Sequence, residues 1–228
     1  MVHTPGPEPA ARIRAADVKL NMDKRYIDMD AYPRRAHFEY FSSMANPYMG
    51  VTVELDITDF CSKIKELGHP FFLSLLWCVN RAADSVPEFR QRIEAGRIVE
   101  FDSCRTSHTL ALDDGTYCYC QLRASMPLGE YIAYASAEQE RARSEQSLDD
   151  GDGLDLYFIS TLPWLSYTSL VNPTPTPADS NPRLTWGKWF ERGGRRILPF
   201  TALCNHALVD GAHLAQFFDA LRAEMNGI

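Results

Sequence analysis

At 228 residues, 45% hydrophobic and 11% aromatic, the chain can bury a sizeable core and suits one domain. A formal net charge of −7 argues against nucleic acid as a partner, because phosphate binding needs a basic face, although a few local cations suffice for a small anion. No apolar run reaches the ~18 residues that span a bilayer, and the N-terminus has no basic-then-apolar leader, so a cytoplasmic chain without a membrane partner is expected.

The Pro- and Gly-containing start, Met1-Val2-His3-Thr4-Pro5-Gly6-Pro7, suggests a flexible arm over residues 1–25, followed by one domain over 26–228. Alternation predicts a strand over 51–57. Thr58 or Asp59 caps a helix that carries Phe60, Ile64 and Leu67 to Gly68. Pro70 opens a second helix over 71–85, apolar nearly all round and therefore buried, which Pro87 and Glu88 end. Residues 98–101, 106–112 and 117–122 read as strands, the last two joined by an Asp113-Asp114-Gly115 turn. A helix over 127–144 precedes a solvated, aspartate-rich loop over 147–155, whose charge serves solubility. Strands are predicted over 156–161 and 168–171, with a proline-rich loop over 172–182. Residues 197–203 form a buried strand, and 212–226 a helix with Leu214, Phe217, Phe218, Leu221 and Met225 on one face. Strands and helices mix without strict βαβ alternation, which points to an α+β fold with a large mixed sheet covered by helices. Cys61, Cys78, Cys104, Cys118, Cys120 and Cys204 show no metal-ligand spacing, so no metal site is expected and the thiols read as free and buried.

Between the last strand and helix stands His206-Ala207-Leu208-Val209-Asp210-Gly211. It sets a base, an apolar spacer and an acidic turn where a strand ends, a place where loops carry chemistry on a rigid support. An imidazole is the side chain that, unperturbed, can take and return a proton near neutral pH. A core histidine beside a Val-Asp-Gly turn is the structural alternative.

This His-x-x-x-Asp-Gly run resembles the signature of the chloramphenicol acetyltransferase family and of the wider CoA-dependent acyltransferase superfamily. Further stretches, in the same order, resemble the type A branch. Arg34-Arg35-Ala36-His37-Phe38-Glu39 is similar to its Arg-x-x-His-Phe-Glu opening, and Val53-Glu54-Leu55-Asp56-Ile57-Thr58 to the strand that follows. Pro87-Glu88-Phe89-Arg90 and Asp102-Ser103 resemble its middle segment. Pro163-Trp164-Leu165-Ser166-Tyr167-Thr168-Ser169 is similar to Pro-Trp-Val-x-Phe-x-Ser, and Thr185-Trp186-Gly187-Lys188-Trp189 to Thr-x-Gly-Lys-Tyr.

The resemblance implies a two-layer sandwich assembling as a homotrimer, with active sites between subunits. It also implies transfer of an acetyl group from acetyl-CoA, a co-substrate rather than a bound cofactor, to a hydroxyl of a small acceptor. His206 is then the base, Ser169 the donor to the developing oxyanion, and Thr185 a residue acting through a bound water. By the resemblance Asp210 pairs with Arg34 in a buried ion pair rather than completing a triad. Alternatively, Asp210 caps the following helix and Arg34 is a surface cation. Lys188 and Trp189 match CoA-contacting positions, with a solvated charge and a core aromatic as their structural readings. His37 and His213 match structural positions. Phe41, Ala45 and Met49 stand where the acceptor is met, and Ala45 is small for such a wall. Asn205 replaces the first histidine of the family's usual pair, and the loop over 172–182 is richer in proline than the family's stretch. Three functions follow: a chloramphenicol O-acetyltransferase, a related enzyme for another hydroxylated natural product, or a non-catalytic relative.

Overall fold

A computed structural model describes residues 24–151 and 153–228. The expected arm over 1–25 lies outside the described residues except for Lys24 and Arg25, which stand in strand β1 (Lys24–Tyr26). β1 pairs antiparallel with β4 (Arg97–Phe101), which also pairs with β3 (Gln91–Glu94), giving a small three-stranded sheet. Ala95 and Gly96 join β3 to β4 with positive φ at both positions, the backbone that a tight two-residue hairpin requires.

The main sheet runs β2 (Tyr48–Asp56), β10 (Arg195–Asn205), β8 (Arg183–Gly187), β7 (Leu156–Leu162), β5 (Arg105–Ala111), β6 (Tyr117–Leu122), with β9 (Phe190–Arg192) on β10. The β5–β7 and β7–β8 pairs are parallel and the others antiparallel, so the sheet is mixed. Helices α2 (Thr58–Glu66), α3 (Phe71–Asp84), α4 (Leu128–Glu145) and α5 (Gly211–Asn226) pack on one face. α1 (Arg35–Ser42) precedes β2. The α+β fold follows from the side-chain alternation of the strands. In β8 and β10, Leu184, Trp186, Phe200 and Ala202 point into the helical layer, where Phe200 meets Trp186, Phe217 and Phe218. Thr185 and Thr201 point to the opposite, outer face. All six cysteines are free and buried.

Three expectations need correction. The cap of α2 is neither Thr58 nor Asp59. Ile57 holds the N-cap position, and the Asp56 carboxylate instead accepts from the Thr58 N–H (3.0 Å) and hydroxyl (2.6 Å). The loop over 147–155 is not simply solvated. Asp155 forms a two-point ion pair with Arg105, and Asp150 accepts from the Ser107 hydroxyl, so these two aspartates bind the loop to β5. Finally, residues 168–171 are not a strand. β8 has both neighbours occupied, by β7 and β10, so the segment after β7 cannot pair beside it and crosses the outer face as irregular chain.

Candidate active site

His206 follows the last residue of β10, and its N–H donates to the Pro47 carbonyl (2.7 Å), which ties the turn to the start of β2. Its Nδ1 lies 3.0 Å from the Val209 carbonyl oxygen. A carbonyl can only accept, so Nδ1 carries the proton and, in the neutral ring, Nε2 holds a free lone pair. Phe41 of α1 stacks on the imidazole with centroids 3.8 Å apart and planes 26° from parallel. Hydrogen bond and stack together hold the ring in one orientation.

The Asp-Gly turn is built around this histidine. Arg34 donates to the Leu208 carbonyl, and its other terminal nitrogen lies 3.3 Å from the Asp210 carboxylate. Asp210 caps α5 through the Ala212 N–H (3.0 Å), while His213 Nδ1 accepts from the Asp210 N–H (3.0 Å). Asp210 thus both pairs with Arg34 and caps α5, and with 36% of its side chain exposed the pair is only partly buried. Burial alone raises its pKa, but His213, the Ala212 N–H and Arg34 outweigh it and hold the carboxyl below its usual range. His213 thus serves as a capping residue, whereas His37 is exposed on α1.

Thr185 lies elsewhere. It is buried on β8, in register with Thr201 of β10, which is in register with Thr52 of β2; on its other side stands Ser160 of β7. These hydroxyl residues form a row across the outer face. Asn172 donates to Thr185 Oγ1 (3.1 Å) and the Tyr167 hydroxyl donates to its carbonyl (3.0 Å). Exposed Ser169 sits between those two anchors in the chain. Gly187 lets this segment approach: a Cβ there would stand 2.6 Å from the Leu165 oxygen and 2.8 Å from the Tyr167 ring.

Within one chain His206 and Thr185 stand apart. Thr201 to Asn205 is about 13 Å along the strand, and His206 lies beyond, so its ring cannot reach a reacting group at the Thr185 rung.

A family model described as chloramphenicol acetyltransferase matches residues 22–222. The chain belongs to the chloramphenicol acetyltransferase family. It is similar to "Chloramphenicol acetyltransferase 2" of Escherichia coli, 26% identical over 206 residues, covering 89% of this chain and 97% of the relative. A Klebsiella sp chloramphenicol acetyltransferase is 27% identical over 202 residues, covering 86% and 91%. A solved chloramphenicol acetyltransferase superposes with a TM-score of 0.80 at 26% identity, covering 89% of this chain and all of the other. A probable dihydrolipoamide acetyltransferase from Listeria monocytogenes shares the fold, with a TM-score of 0.63 at 16% identity. The chain is accordingly an enzyme, an acyltransferase of the chloramphenicol acetyltransferase kind.

The remaining site candidates are Lys188, Trp189, Phe41, Ala45 and Met49. Lys188 is exposed, its N–H donating to the Leu165 carbonyl (2.7 Å). Trp189 is also exposed, with the Arg196 guanidinium 5.2 Å from its ring centre, so it is not a core aromatic. Phe41 covers His206, Met49 packs on the core from β2, and Ala45 is exposed in the turn between α1 and β2. A cavity of about 400 Å³ opens on the outer face instead, lined among others by Ser107, Tyr117, Tyr119, Asp150, Phe158 and Ser160. Asn172, the partner of Thr185, closes one side. Phe41, Ala45 and Met49 are absent from that lining. Sequence reasoning missed Tyr167, Asn172 and the Val209 carbonyl as positioning groups. Tyr167 lies inside the serine motif and was within reach, but nothing local marks the other two.

Proposed function

We propose that the chain is an acetyl-CoA-dependent O-acetyltransferase that acetylates a hydroxyl of chloramphenicol. The observation that carries this reading is the 3.0 Å contact of His206 Nδ1 with the Val209 carbonyl: with Nδ1–H committed there, Nε2 is the ring atom free to accept a proton. An alcohol is a weak nucleophile while protonated. Nε2 takes the hydroxyl proton as the oxygen bonds to the thioester carbonyl carbon. The tetrahedral intermediate then expels the CoA sulfur, to which Nε2 returns the proton. No acyl-enzyme forms, and orientation of the two substrates in one site supplies much of the rate.

The Ser169 hydroxyl donates to the oxyanion. Thr185, already accepting from Asn172, retains its own proton to hold a water there. The Arg34–Asp210 pair and the α5 cap act through His206 by fixing its turn. Lys188 and the Trp189 face suit a phosphate and an adenine of CoA.

The separation of His206 from the Thr185 rung supports a homotrimer in which one subunit supplies the base and its neighbour Ser169 and Thr185. The segment around Ser169 exposes Trp164 (76%), Leu165 and Val171 (90%), apolar surface suited to such an interface. The six free thiols suit the cytoplasm. None of the helices over the described residues is long and apolar enough to cross a membrane.

A second reading keeps the chemistry and changes the acceptor to another hydroxylated natural product. The Asp150 carboxylate in the lining of the outer cavity favours it. Thiol release from acetyl-CoA, measured with and without chloramphenicol, tests both. Release that needs the drug and vanishes in His206→Ala supports the first. No drug-dependent release, with release on another hydroxylated compound, selects the second.

A further inference from the structure

The outer cavity is of a size that holds a drug-like molecule. Its lining is unusual for a site that takes a neutral acceptor. Asp150 is held there by the Ser107 hydroxyl (2.6 Å) and the Gln121 amide (3.1 Å), both donating to Oδ1, while the same amide also reaches the Asp150 carbonyl (3.2 Å). Among the described residues no hydrogen bond is made to Oδ2 of Asp150. The carboxylate is thus fixed in place with one oxygen left for an incoming donor.

The cation that lines the cavity does not neutralise it. Arg183 gives both terminal nitrogens to the Asp179 carboxylate (2.8 and 2.7 Å) and lays its guanidinium over Phe158. The cavity wall on the β6 side is aromatic: Tyr119 stands two residues along β6 from Gln121, whose rung with Ser107 holds Asp150, and Tyr117 follows it with ring centres 5.9 Å apart, while Phe158 across the sheet already carries the Arg183 guanidinium. A carboxylate beside π-faces is the environment that recognises an ammonium, through charge pairing and cation–π attraction together.

Position adds a second constraint. Ser107, Phe158 and Arg183 share one rung across β5, β7 and β8, so the Asp150 end lies about 10 Å from the β8 side, where Asn172 and Thr185 stand. We infer that Asp150 determines acceptor specificity, selecting a molecule that carries an ammonium or comparable hydrogen-bond donor at the end remote from the hydroxyl that is acylated. This rests on the second reading above, a hydroxyl acyltransferase whose preferred acceptor is a compound other than chloramphenicol.

The test uses a matched pair: chloramphenicol, with its nitro group at the ring end remote from the propanediol, and the analogue with an aminomethyl group in its place. Calorimetric titration measures both against the assembled wild-type protein and Asp150→Asn, which keeps an oxygen for Ser107 and Gln121. Wild type should bind the ammonium compound at least tenfold more tightly, and Asp150→Asn should bring the ratio to about one. Equal binding by wild type, a ratio unchanged in the variant, or no binding of the ammonium compound overturns the inference. Thiol release with the same pair is read separately. An Asp150-dependent binding ratio without thiol release from any acceptor would sink the acyl-transfer reading and leave the binding preference standing.

Discussion

Gly187→Ala adds one methyl group to β8 and should disturb the site without touching a reacting atom. The new Cβ would stand 2.6 Å from the Leu165 carbonyl oxygen, 2.8 Å from Tyr167 Cε1 and 3.0 Å from its Cδ1. The closest of these contacts is with backbone, so the segment must retreat by several tenths of an ångström. That movement strains the Lys188 N–H bond to Leu165 and the Tyr167 hydroxyl bond to Thr185. Overpacking costs about 1–3 kcal/mol, and a weakened hydrogen bond about 1 kcal/mol more. For a chain of this size each kcal/mol lowers Tm by about 2–4 °C, so a fall of about 4–16 °C is expected by circular dichroism. Ser169 rides on the same segment, and thiol release should fall by about 10–100-fold through misplacement alone. Gly129→Ala is the control: nothing lies within 4 Å of its Cβ position on α4, and it should raise stability by about 0.5 kcal/mol. A Gly187→Ala protein with wild-type Tm and wild-type thiol release would refute the close approach of the segment to β8.

Ser169→Ala should lower kcat by about 10²–10³ with little change in Tm, as the loss of one oxyanion donor predicts, and a kcat within twofold of wild type would remove Ser169 from the mechanism. His206→Ala should abolish turnover and leave the circular dichroism spectrum unchanged. Mixing the two variants under conditions that exchange subunits should restore activity, because some sites then combine an intact His206 with an intact Ser169. No recovery from confirmed mixed assemblies would place both residues in the same subunit's site. Asp84 gives a pH test: burial pushes its carboxyl up to about 6, against the opposing pull of the Cys104 N–H and the Tyr157 hydroxyl. The folded state then binds its proton more tightly than the unfolded chain, so this group favours folding at low pH and loses that advantage as pH rises from about 4 to 6, by roughly 2–3 kcal/mol. Buried His108, held down to about 4 by desolvation, slopes the other way over the same range, which makes the difference from Asp84→Asn the informative quantity. In urea unfolding the variant should gain stability relative to wild type between pH 4 and 6, and a flat difference would show that Asp84 does not titrate there.

The elements that local chemistry can specify were legible in the amino-acid sequence. Pro70 and an apolar run gave α3, Asp113-Asp114-Gly115 gave the β5–β6 turn, and helical spacing gave α5, each within a residue or two. The family motifs marked His206, Ser169, Thr185 and the Arg34–Asp210 pair without reference to any fold. Short elements with weak local signals, such as β1, β3 and β9, were not foreseen, because they exist through pairing with β4 and β10.

The tertiary structure decided what depends on neighbours far apart in the chain. Whether residues 168–171 form a strand turned on the edges of β8 being taken, which no local pattern records. Asp150 reads as a solvated charge in its run of aspartates, yet its carboxylate is held by Ser107 and Gln121 in a cavity wall. Phe41 reads as an acceptor contact and stacks on His206. The distance along β10 between Thr201 and His206 is a property of a straight, paired strand. Residue types and their spacing determined which chemistry the chain carries, because motifs and periodicity are local. Long-range strand pairing determined which of those groups meet, because only packing sets the neighbours of a side chain.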